Sequence, residues 1–331
     1  MNYFKFHTTT YNDSILNKRE GEIKLGEVLS FCNSLEDLAN TSARYIIFGI
    51  SESIGVQANF GKKGTEKAWD DFVKAYVNTQ ENEYNSGKDV VILGHFDFSD
   101  IEKNELKNSV TDLSTLVQHI DKNVRQLVEK IIAAGKIPVM IGGGHNNAYG
   151  ILSGVHRALE KPINCLNIDA HTDLRTTDRR HSGNPFSYAI QEAALHKYHV
   201  FGLHKNYTPQ YIFKAIKEQP QITFDFYDTM LTSKEQTENY QTALAKISTD
   251  TFGLELDCDA IAHFNSSARS PSGFSIAFIR NAIRAAARTK TICYFHCCEA
   301  IPSAEEPGQI GKALSFFITD FINTHREYHS L

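Results

Sequence analysis

The sequence lacks any apolar run near the roughly 20 residues that a membrane-spanning helix needs, and its first residues contain no apolar core of a signal peptide. It also lacks a stripe of basic residues, and its formal net charge of −5 offers little attraction to nucleic acid. We therefore expect neither a membrane nor a nucleic acid as partner. Because repeats and low-complexity linkers are absent too, nothing divides the 331 residues into two catalytic domains.

Cysteine is also scarce, since only six residues are cysteines and most of them lie inside apolar, strand-like runs. Without a secretory signal, an even number of cysteines does not imply disulfides, because thiols stay reduced in the cytosol. We expect a reduced, cytoplasmic protein whose partner is a small molecule.

From Arg44 onward, short apolar runs alternate with segments in which apolar residues recur every three or four positions. The segment 110–134 is the clearest of these and predicts a helix with one buried stripe. Apolar strands separated by helices are typical of a parallel sheet covered on both faces. We predict one doubly wound α/β domain over residues 41–331, with ligands bound beyond the carboxyl ends of the strands. Residues 1–40 are polar and mixed, and we predict an arm packed on that domain.

One apolar run, residues 163–168, ends in Asp169, His171 and Asp173. At a period of two, these side chains point to the same side of an extended segment. Such residues can also mark a strand that simply runs out into solvent. A second apolar run argues against the interpretation that these residues only mark a strand running out into solvent, because it ends in Asp257 and Asp259 at the same spacing. Uncompensated carboxylates are costly at the edge of a core, so the pattern favours a metal site.

A third apolar run leads through the glycines at positions 142–144 into His145. A glycine run between a strand and a helix can cradle phosphate, but the lysine that this use requires is replaced by Asn146 and Asn147. We interpret the glycines as a sharp turn that lets His145 reach the metal site.

The predicted ligands are two imidazoles and four carboxylates, which favour manganese over a zinc site built from cysteines. Four aspartates carry about the charge that two divalent cations neutralise, so we expect two metal ions. Two such ions can share one water and make hydroxide available near neutral pH. The six predicted metal ligands are His145, Asp169, His171, Asp173, Asp257 and Asp259.

Together, four motifs resemble the ureohydrolases, the binuclear manganese enzymes that include arginase, agmatinase and formimidoylglutamase. The motifs are Gly142-Gly-Gly-His145, Asp169-Ala-His-Thr-Asp173, Asp257-Cys-Asp259 and Glu299-Ala-Ile-Pro302. The resemblance implies an arginase-like three-layer fold, an amidine or guanidine substrate and a homo-oligomer. It also implies that Asp173 is catalytic and holds the hydroxide by a hydrogen bond. Glu299 is expected to be catalytic and substrate-binding, because a carboxylate can grip a planar amidinium through two parallel hydrogen bonds.

The loop after the second motif is expected to select the substrate. The resemblance implies that Ser182 and Asn184 contact the amino-acid end of the substrate. An arginine at position 175 resembles the formimidoylglutamase branch of the family. Its guanidinium can bind a second carboxylate of the substrate through two parallel hydrogen bonds. The alternative is that Arg175 pairs with a surface acid such as Asp178. We interpret the neighbouring arginines, residues 179–180, as a solvated charge run.

Several departures from the family limit this comparison. Phe186 stands where arginases have a proton-shuttling histidine, so the donor to the leaving group stays open between His181, His204 and other groups. The segment 202–207 lacks the acids that hold the substrate α-amino group in arginases. Asn146 replaces the glutamate that formimidoylglutamases have after the metal-binding histidine.

Our hypothesis is a binuclear manganese amidinohydrolase in which a metal-bridging hydroxide attacks an amidine carbon. The leading substrate is N-formimidoyl-L-glutamate, which gives L-glutamate and formamide. One alternative is a guanidino-compound hydrolase that releases urea. The other is a metal-binding homologue that has lost catalysis, which the missing shuttle histidine would explain.

Overall fold

The structure, a computed structural model, describes residues 3–99 and 110–329. Within these ranges one sheet contains nine strands, which in chain order are β1 (Phe4–Phe6), β2 (Tyr45–Ser51), β3 (Val90–Asp97), β4 (Ile137–Ile141), β5 (Ile163–Ile168), β6 (Leu195–Leu203), β7 (Ile222–Phe226), β8 (Phe252–Asp257) and β9 (Ile292–Cys298). Their order across the sheet is β1-β3-β2-β4-β9-β8-β5-β6-β7. The pairs from β3 to β7 are all parallel, as expected for strands joined by helices.

The helices of the described residues connect these strands. They are α1 (Thr9–Ile15), α2 (Asp37–Asn40), α3 (Ile54–Ala58), α4 (Ala68–Tyr76), α5 (Val110–Ala133), α6 (Asn147–Leu159), α7 (Pro185–Gln191), α8 (Gln210–Lys217), α9 (Ser233–Ile247), α10 (Ile276–Ala287) and α11 (Gln309–His329). Apolar residues of α4, α9, α10 and α11 pack on one face of the sheet, and those of α5 to α8 pack on the other. The predicted doubly wound, helix-covered sheet is therefore confirmed.

Helices α5 and α6 show how the sequence produces this layer. The apolar stripe predicted for α5 is buried, as at Val117 and Val124. On α6, a Cβ atom at Gly150 would lie 2.9 Å from the carbonyl oxygen of Asp121, and one at Gly154 would lie 2.7 Å from that of Arg125. Small residues on α6 thus let the two helices pack closely. Among the described residues, no helix is long and apolar enough to cross a membrane.

The first forty residues contribute a strand that the sequence analysis did not separate from the arm. β1 pairs antiparallel with β3 at the edge of the sheet. Lys5 forms an ion pair of 2.5 Å with Asp97, and the Phe4 ring meets Phe96 edge to face. The alternation in Phe4-Lys5-Phe6 was a signal of this strand, but three residues are too few to distinguish a strand from a loop. The division into arm and domain stays a prediction.

The central strands β4, β9, β8 and β5 are adjacent and parallel. Their carboxyl ends therefore lie at one edge of the sheet. Asp257 is the last residue of β8, and the segments that follow the other three strands carry His145, Asp169 and Glu299. The sheet order alone brings these four residues of distant sequence position together.

Candidate metal centre and substrate pocket

The structure gathers the predicted ligands in what we call the strand-end cluster: His145, Asp169, His171, Asp173, Asp257, Asp259 and Glu299. Ligand atoms of His145, Asp169, Asp173 and Asp257 all lie within 4.8 Å of one another. Nδ1 of His145 lies 3.4 Å from Asp169, 2.9 Å from Asp173 and 3.1 Å from Asp257, each measured to Oδ2.

The His145 ring indicates what these atoms can hold. Neither of its nitrogens has a hydrogen-bond partner among the described residues, although three carboxylate oxygens surround Nδ1. A buried nitrogen that faces oxygens without hydrogen bonding to them fits a shared cation. Burial and the neighbouring Asp259 and Asp169 raise the pKa of Asp257 well above its usual range. The cluster therefore favours positive charge, and its oxygen-rich donor set fits divalent manganese.

The other half of the cluster opens towards solvent. Nδ1 of His171 lies 3.5 Å from Asp169 Oδ1 and 3.9 Å from Asp259 Oδ2. Asp169 thus presents one oxygen to each imidazole, which is the arrangement expected of a carboxylate shared by two metal ions. The backbone N–H of Ala268 donates to Asp259 at 3.0 Å, and the Ser267 hydroxyl donates at 3.3 Å. These contacts orient the carboxylate towards His171.

The turn before His145 requires glycine. Gly142 and Gly143 have φ values of +87° and +75°, and a Cβ atom at Gly143 would lie 2.4 Å from Asn147 Nδ2. The buried Glu52 holds the turn, since it accepts the backbone N–H of Gly144 at 2.8 Å and Nδ2 of Asn147 at 2.7 Å. Sequence analysis missed Glu52, although a carboxylate that directly follows β2 gives the same strand-end signal as the predicted ligands.

Glu299 lies in the left-handed region at φ +63° and lines a cavity of about 200 Å³ beside the metal centre. Its Oε1 accepts the backbone N–H of His145 at 2.6 Å. Its Oε2 is buried and has no hydrogen-bond partner among the described residues. Burial, together with the charge of Asp259, raises the pKa of Glu299 to about 8. One oxygen is thus held in place while the other is available to a donor, such as a cationic N–H group.

The cavity also brings together two residues of the predicted substrate loop, which we define as residues 174–186. Arg175 and Ser182 both line it, together with Asn59 and Tyr207. Asn59 Nδ2 donates to the Ser182 hydroxyl at 3.2 Å. Arg175 is exposed, and its guanidinium forms no ion pair with any residue in the described ranges. The alternative pairing of Arg175 with Asp178 is therefore absent from the structure.

Asn184 does not line this cavity, so the structure does not bring it together with Arg175 and Ser182, and its contact with substrate stays a prediction. It is fully buried, and its Oδ1 accepts Nη1 of Arg180 at 2.7 Å. Its Nδ2 donates to the backbone carbonyls of Thr176 at 2.8 Å and Arg179 at 2.7 Å. Both ends of the Asn184 amide are thus engaged inside the loop and help to fix its shape.

Arg180 overturns the interpretation of residues 179–180 as a solvated charge run. Only 1% of Arg180 is exposed. It forms a bidentate ion pair with Asp121, at 2.8 Å from Nε and 2.9 Å from Nη2, and lies against the rings of Tyr149 and Tyr188. Nη2 also donates to the carbonyl of Asn146 at 3.0 Å. Arg180 thereby connects the substrate loop with the residue that follows His145.

The two histidines considered as proton donors are both held neutral. Burial and the nearby arginines lower the pKa of His181 to about 4, and its Nδ1 accepts the backbone N–H of Gly183 at 3.1 Å. Burial also lowers the pKa of His204, whose ring stacks between Tyr207 and Tyr227. Neither histidine lines the cavity. Phe186 packs edge to face on His145, so this position supplies no proton.

Behind His145 lies a buried carboxylate that sequence analysis missed. Oε2 of Glu255 lies 3.6 Å from His145 Nε2 and 2.6 Å from His296 Nδ1, and its Oε1 accepts the Tyr294 hydroxyl at 2.8 Å. Burial opposes the charge, but the two histidines more than offset it and lower the pKa of Glu255 to about 2. A glutamate inside the apolar run of β8 was the available signal.

Comparison with known proteins gives a consistent result. A sequence model of the arginase family matches residues 43–319. A formimidoylglutamase of Corynebacterium efficiens is 26% identical over 204 residues, which cover 60% of this chain and 64% of that protein. The matched segment thus spans less than two thirds of that relative's own length.

Solved structures resemble the fold over nearly the whole chain. A formiminoglutamase of Trypanosoma cruzi, crystallised with Mn²⁺, has a TM-score of 0.73 at 16% identity and covers 92% of this chain and 98% of its own. A formimidoylglutamase of Bacillus subtilis has a TM-score of 0.75 at 14% identity and covers 95% of both chains. At these identities the likeness shows a shared fold.

Proposed function

The chain belongs to the arginase family, and from this premise we propose that it is a hydrolase that cleaves a C–N bond of a linear amidine. The observation that carries the proposal is the free, buried oxygen of Glu299, which lies in the cavity beside an oxygen-rich metal centre. The proposed substrate is N-formimidoyl-L-glutamate, and the products are L-glutamate and formamide.

The six predicted ligands of the strand-end cluster would hold two divalent ions, and the Mn²⁺ in the Trypanosoma cruzi structure supports manganese. When bound, such ions lower the pKa of water enough to supply hydroxide near neutral pH. Asp173, which lies beside His145 and lines the cavity, would be one of the ligands and would also accept a hydrogen bond that orients the attacking hydroxide towards the amidine carbon.

The remaining residues orient the substrate. Glu299 Oε2 accepts an N–H of the amidinium, while Oε1 stays on the His145 backbone and keeps the carboxylate in place. The cavity is walled on one side by Pro209 and Ile212, which suits a short methylene chain. At its rim, Arg175 offers a guanidinium fork to a carboxylate on the tail of the substrate.

A guanidino compound is the second candidate, because Glu299 would grip a guanidinium as well as an amidinium. The position of Arg175 in the cavity lining supports a substrate with a second carboxylate over a guanidino compound. Manganese as the native metal, a homo-oligomeric assembly and a cytoplasmic location stay predictions.

Product analysis tests the proposal. Manganese-loaded protein is offered N-formimidoyl-L-glutamate, arginine, agmatine and 4-guanidinobutyrate in parallel, and formamide, glutamate and urea are measured. We expect formamide and glutamate in equal amounts and no urea. Urea from a guanidino substrate would keep the metal chemistry but overturn the role of Arg175. No turnover on a broad amidine and guanidine panel would favour a metal-binding homologue without catalysis.

A further inference from the structure

A buried carboxylate and two imidazoles form a row behind the metal centre. Glu255 and His296 are cross-strand neighbours on β8 and β9, so their side chains share one face of the sheet. Glu255, His296 and His145 are all fully buried. Oε2 of Glu255 lies between the two rings, at 2.6 Å from His296 Nδ1 and 3.6 Å from His145 Nε2.

The two nitrogens of His145 face different groups. Nδ1 faces the three aspartates of the strand-end cluster, and Nε2 faces Glu255. A neutral imidazole carries its proton on one nitrogen and a lone pair on the other. Only the tautomer with the proton on Nε2 presents a lone pair to the metal centre and a donor to Glu255. A carboxylate on the far side of a metal-binding histidine selects this tautomer and fixes the angle of the ring.

A buried carboxylate such as Glu255 contributes little to the stability of the core. A buried charge is costly to desolvate, and well-packed apolar residues in place of a buried ion pair are often neutral or stabilising. The remaining strand positions near Glu255, such as Leu254 and Leu256, are apolar and fully buried. The charge at Glu255 therefore points to a role beyond packing.

We propose that Glu255, whose Oε2 is held in place by His296, is a positioning residue that fixes His145 for one of the two metal ions. The proposal rests on the binuclear centre of the proposed function and assigns Glu255 no contact with substrate. It makes the two ions unequal. The ion at His145 depends on Glu255, whereas the ion at His171 does not, because His171 faces the cavity and stacks on Tyr207.

Manganese binding to two matched variants tests this inference. Glu255→Gln keeps the volume but removes the negative charge and replaces one of the two carboxylate oxygens by an NH2 group. Tyr294→Phe breaks one hydrogen bond in the same buried network but leaves the carboxylate in place. Calorimetric titration of metal-free protein with manganese is expected to show one site weakened about 10- to 100-fold in Glu255→Gln, the effect typical of such outer partners. We expect both sites to be near the wild-type affinity in Tyr294→Phe.

The wild-type protein offers a second measurement that needs no stable variant at Glu255. In zinc-loaded protein with ¹⁵N-labelled histidine, the His145 resonances, assigned by their loss in His145→Asn, report which nitrogen carries the proton. We expect the proton on Nε2. A proton on Nδ1 would overturn the proposal.

Two other outcomes would also contradict the proposed role of Glu255. Unchanged manganese affinity in Glu255→Gln would show that His145 needs no carboxylate partner. Equal weakening in Glu255→Gln and Tyr294→Phe would mean that the network acts only through general packing. Failure of the proposed function is distinguishable, because it appears in the wild type as absence of manganese binding or of amidine turnover.

Discussion

The strand-end cluster and the substrate loop both contribute residues to one cavity, yet they are held in place by different means. Residues of the cluster lie at or just beyond the ends of four adjacent parallel strands, so the register of the sheet sets their positions. The loop has no strand to position it. Its shape depends on the buried side chains of Arg180 and Asn184, whose bonds reach α5 and the carbonyl of Asn146.

Because of this difference, we expect that mutations can impair metal binding and substrate specificity independently of each other. A change in the cluster is expected to remove metal while the sheet persists. A change in the loop is expected to alter stability or substrate affinity while the metal stays bound. Each prediction below tests one side of this comparison.

The largest effect is expected in the cluster, from Asp257→Ala. Removing one of the three carboxylates around His145 Nδ1 leaves too few oxygens for that ion. We expect bound manganese, measured by elemental analysis after gel filtration, to fall below two ions per chain, and turnover to fall to background. Asp228→Ala, at an exposed aspartate, is the control and should keep both the wild-type manganese content and the wild-type turnover. Wild-type stoichiometry in Asp257→Ala would make the assignment of Asp257 wrong.

In the loop, Arg180→Met is expected to lower the free energy of unfolding by about 3–5 kcal/mol, because it leaves Asp121 as a buried charge without a partner. Urea denaturation of the metal-free protein measures this change. Arg179→Met, at a partly exposed neighbour, should cost less than about 1 kcal/mol. The double variant Arg180→Met/Asp121→Leu should recover part of the loss. A cost as small as that of Arg179→Met would contradict the view that Arg180 holds the loop.

Arg175→Met separates specificity from chemistry. Loss of hydrogen bonds to a charged group costs about 1.5–3 kcal/mol, so KM for N-formimidoyl-L-glutamate should rise on the order of 10- to 150-fold. The turnover number and manganese content should change little. Lys62→Met removes one exposed positive charge near the mouth of the cavity and serves as the control for charge alone. An equal rise in KM for both variants would favour general electrostatic attraction over a guanidinium fork.

The smallest effect is a dependence of loop stability on pH. The pKa of His181 is lowered from 6.5 to about 4 by burial and the nearby arginines, so the unfolded chain takes up a proton first as pH falls. The contribution of His181 to stability is therefore complete above pH 6.5 and declines between pH 6.5 and 4, by at most about 1.4 kcal/mol per pH unit. Urea denaturation across this range should show a shallower slope for His181→Gln than for the wild type. His119→Gln, at an exposed histidine, should keep the wild-type slope.

Much of the fold could be predicted because its signals are local. The alternation of apolar runs and helical periodicity from Arg44 onward predicted a parallel sheet covered by helices on both faces, although it did not predict the short helix α3. The residues at the strand ends, such as Asp169 and Asp257, were identified because parallel strands end at one edge. Their proposed roles as ligands stay predictions, as does the role of Glu299.

Most of the contacts that were not foreseen involve partners that are distant in sequence. Arg180 looked like a solvated arginine because its partner, Asp121, is 59 positions away, on helix α5. The bonds of Asn184 were also not foreseen, although its partners are only five and eight positions away, because they depend on the path of the loop. Glu52 lies 92 positions from Gly144, and no local pattern connects them.

The sequence by itself determined which segments become strands, which residues end them, and that carboxylates and imidazoles would meet at one edge. These features follow from periodicity and from the geometry of parallel strands. Only the tertiary structure decided which way each polar side chain faces: Glu255 towards His145, Arg180 towards Asp121 and Arg175 towards the cavity. The reason is physical, since a buried charge is tolerated only where partners from other elements surround it, and those partners exist only once the chain has folded.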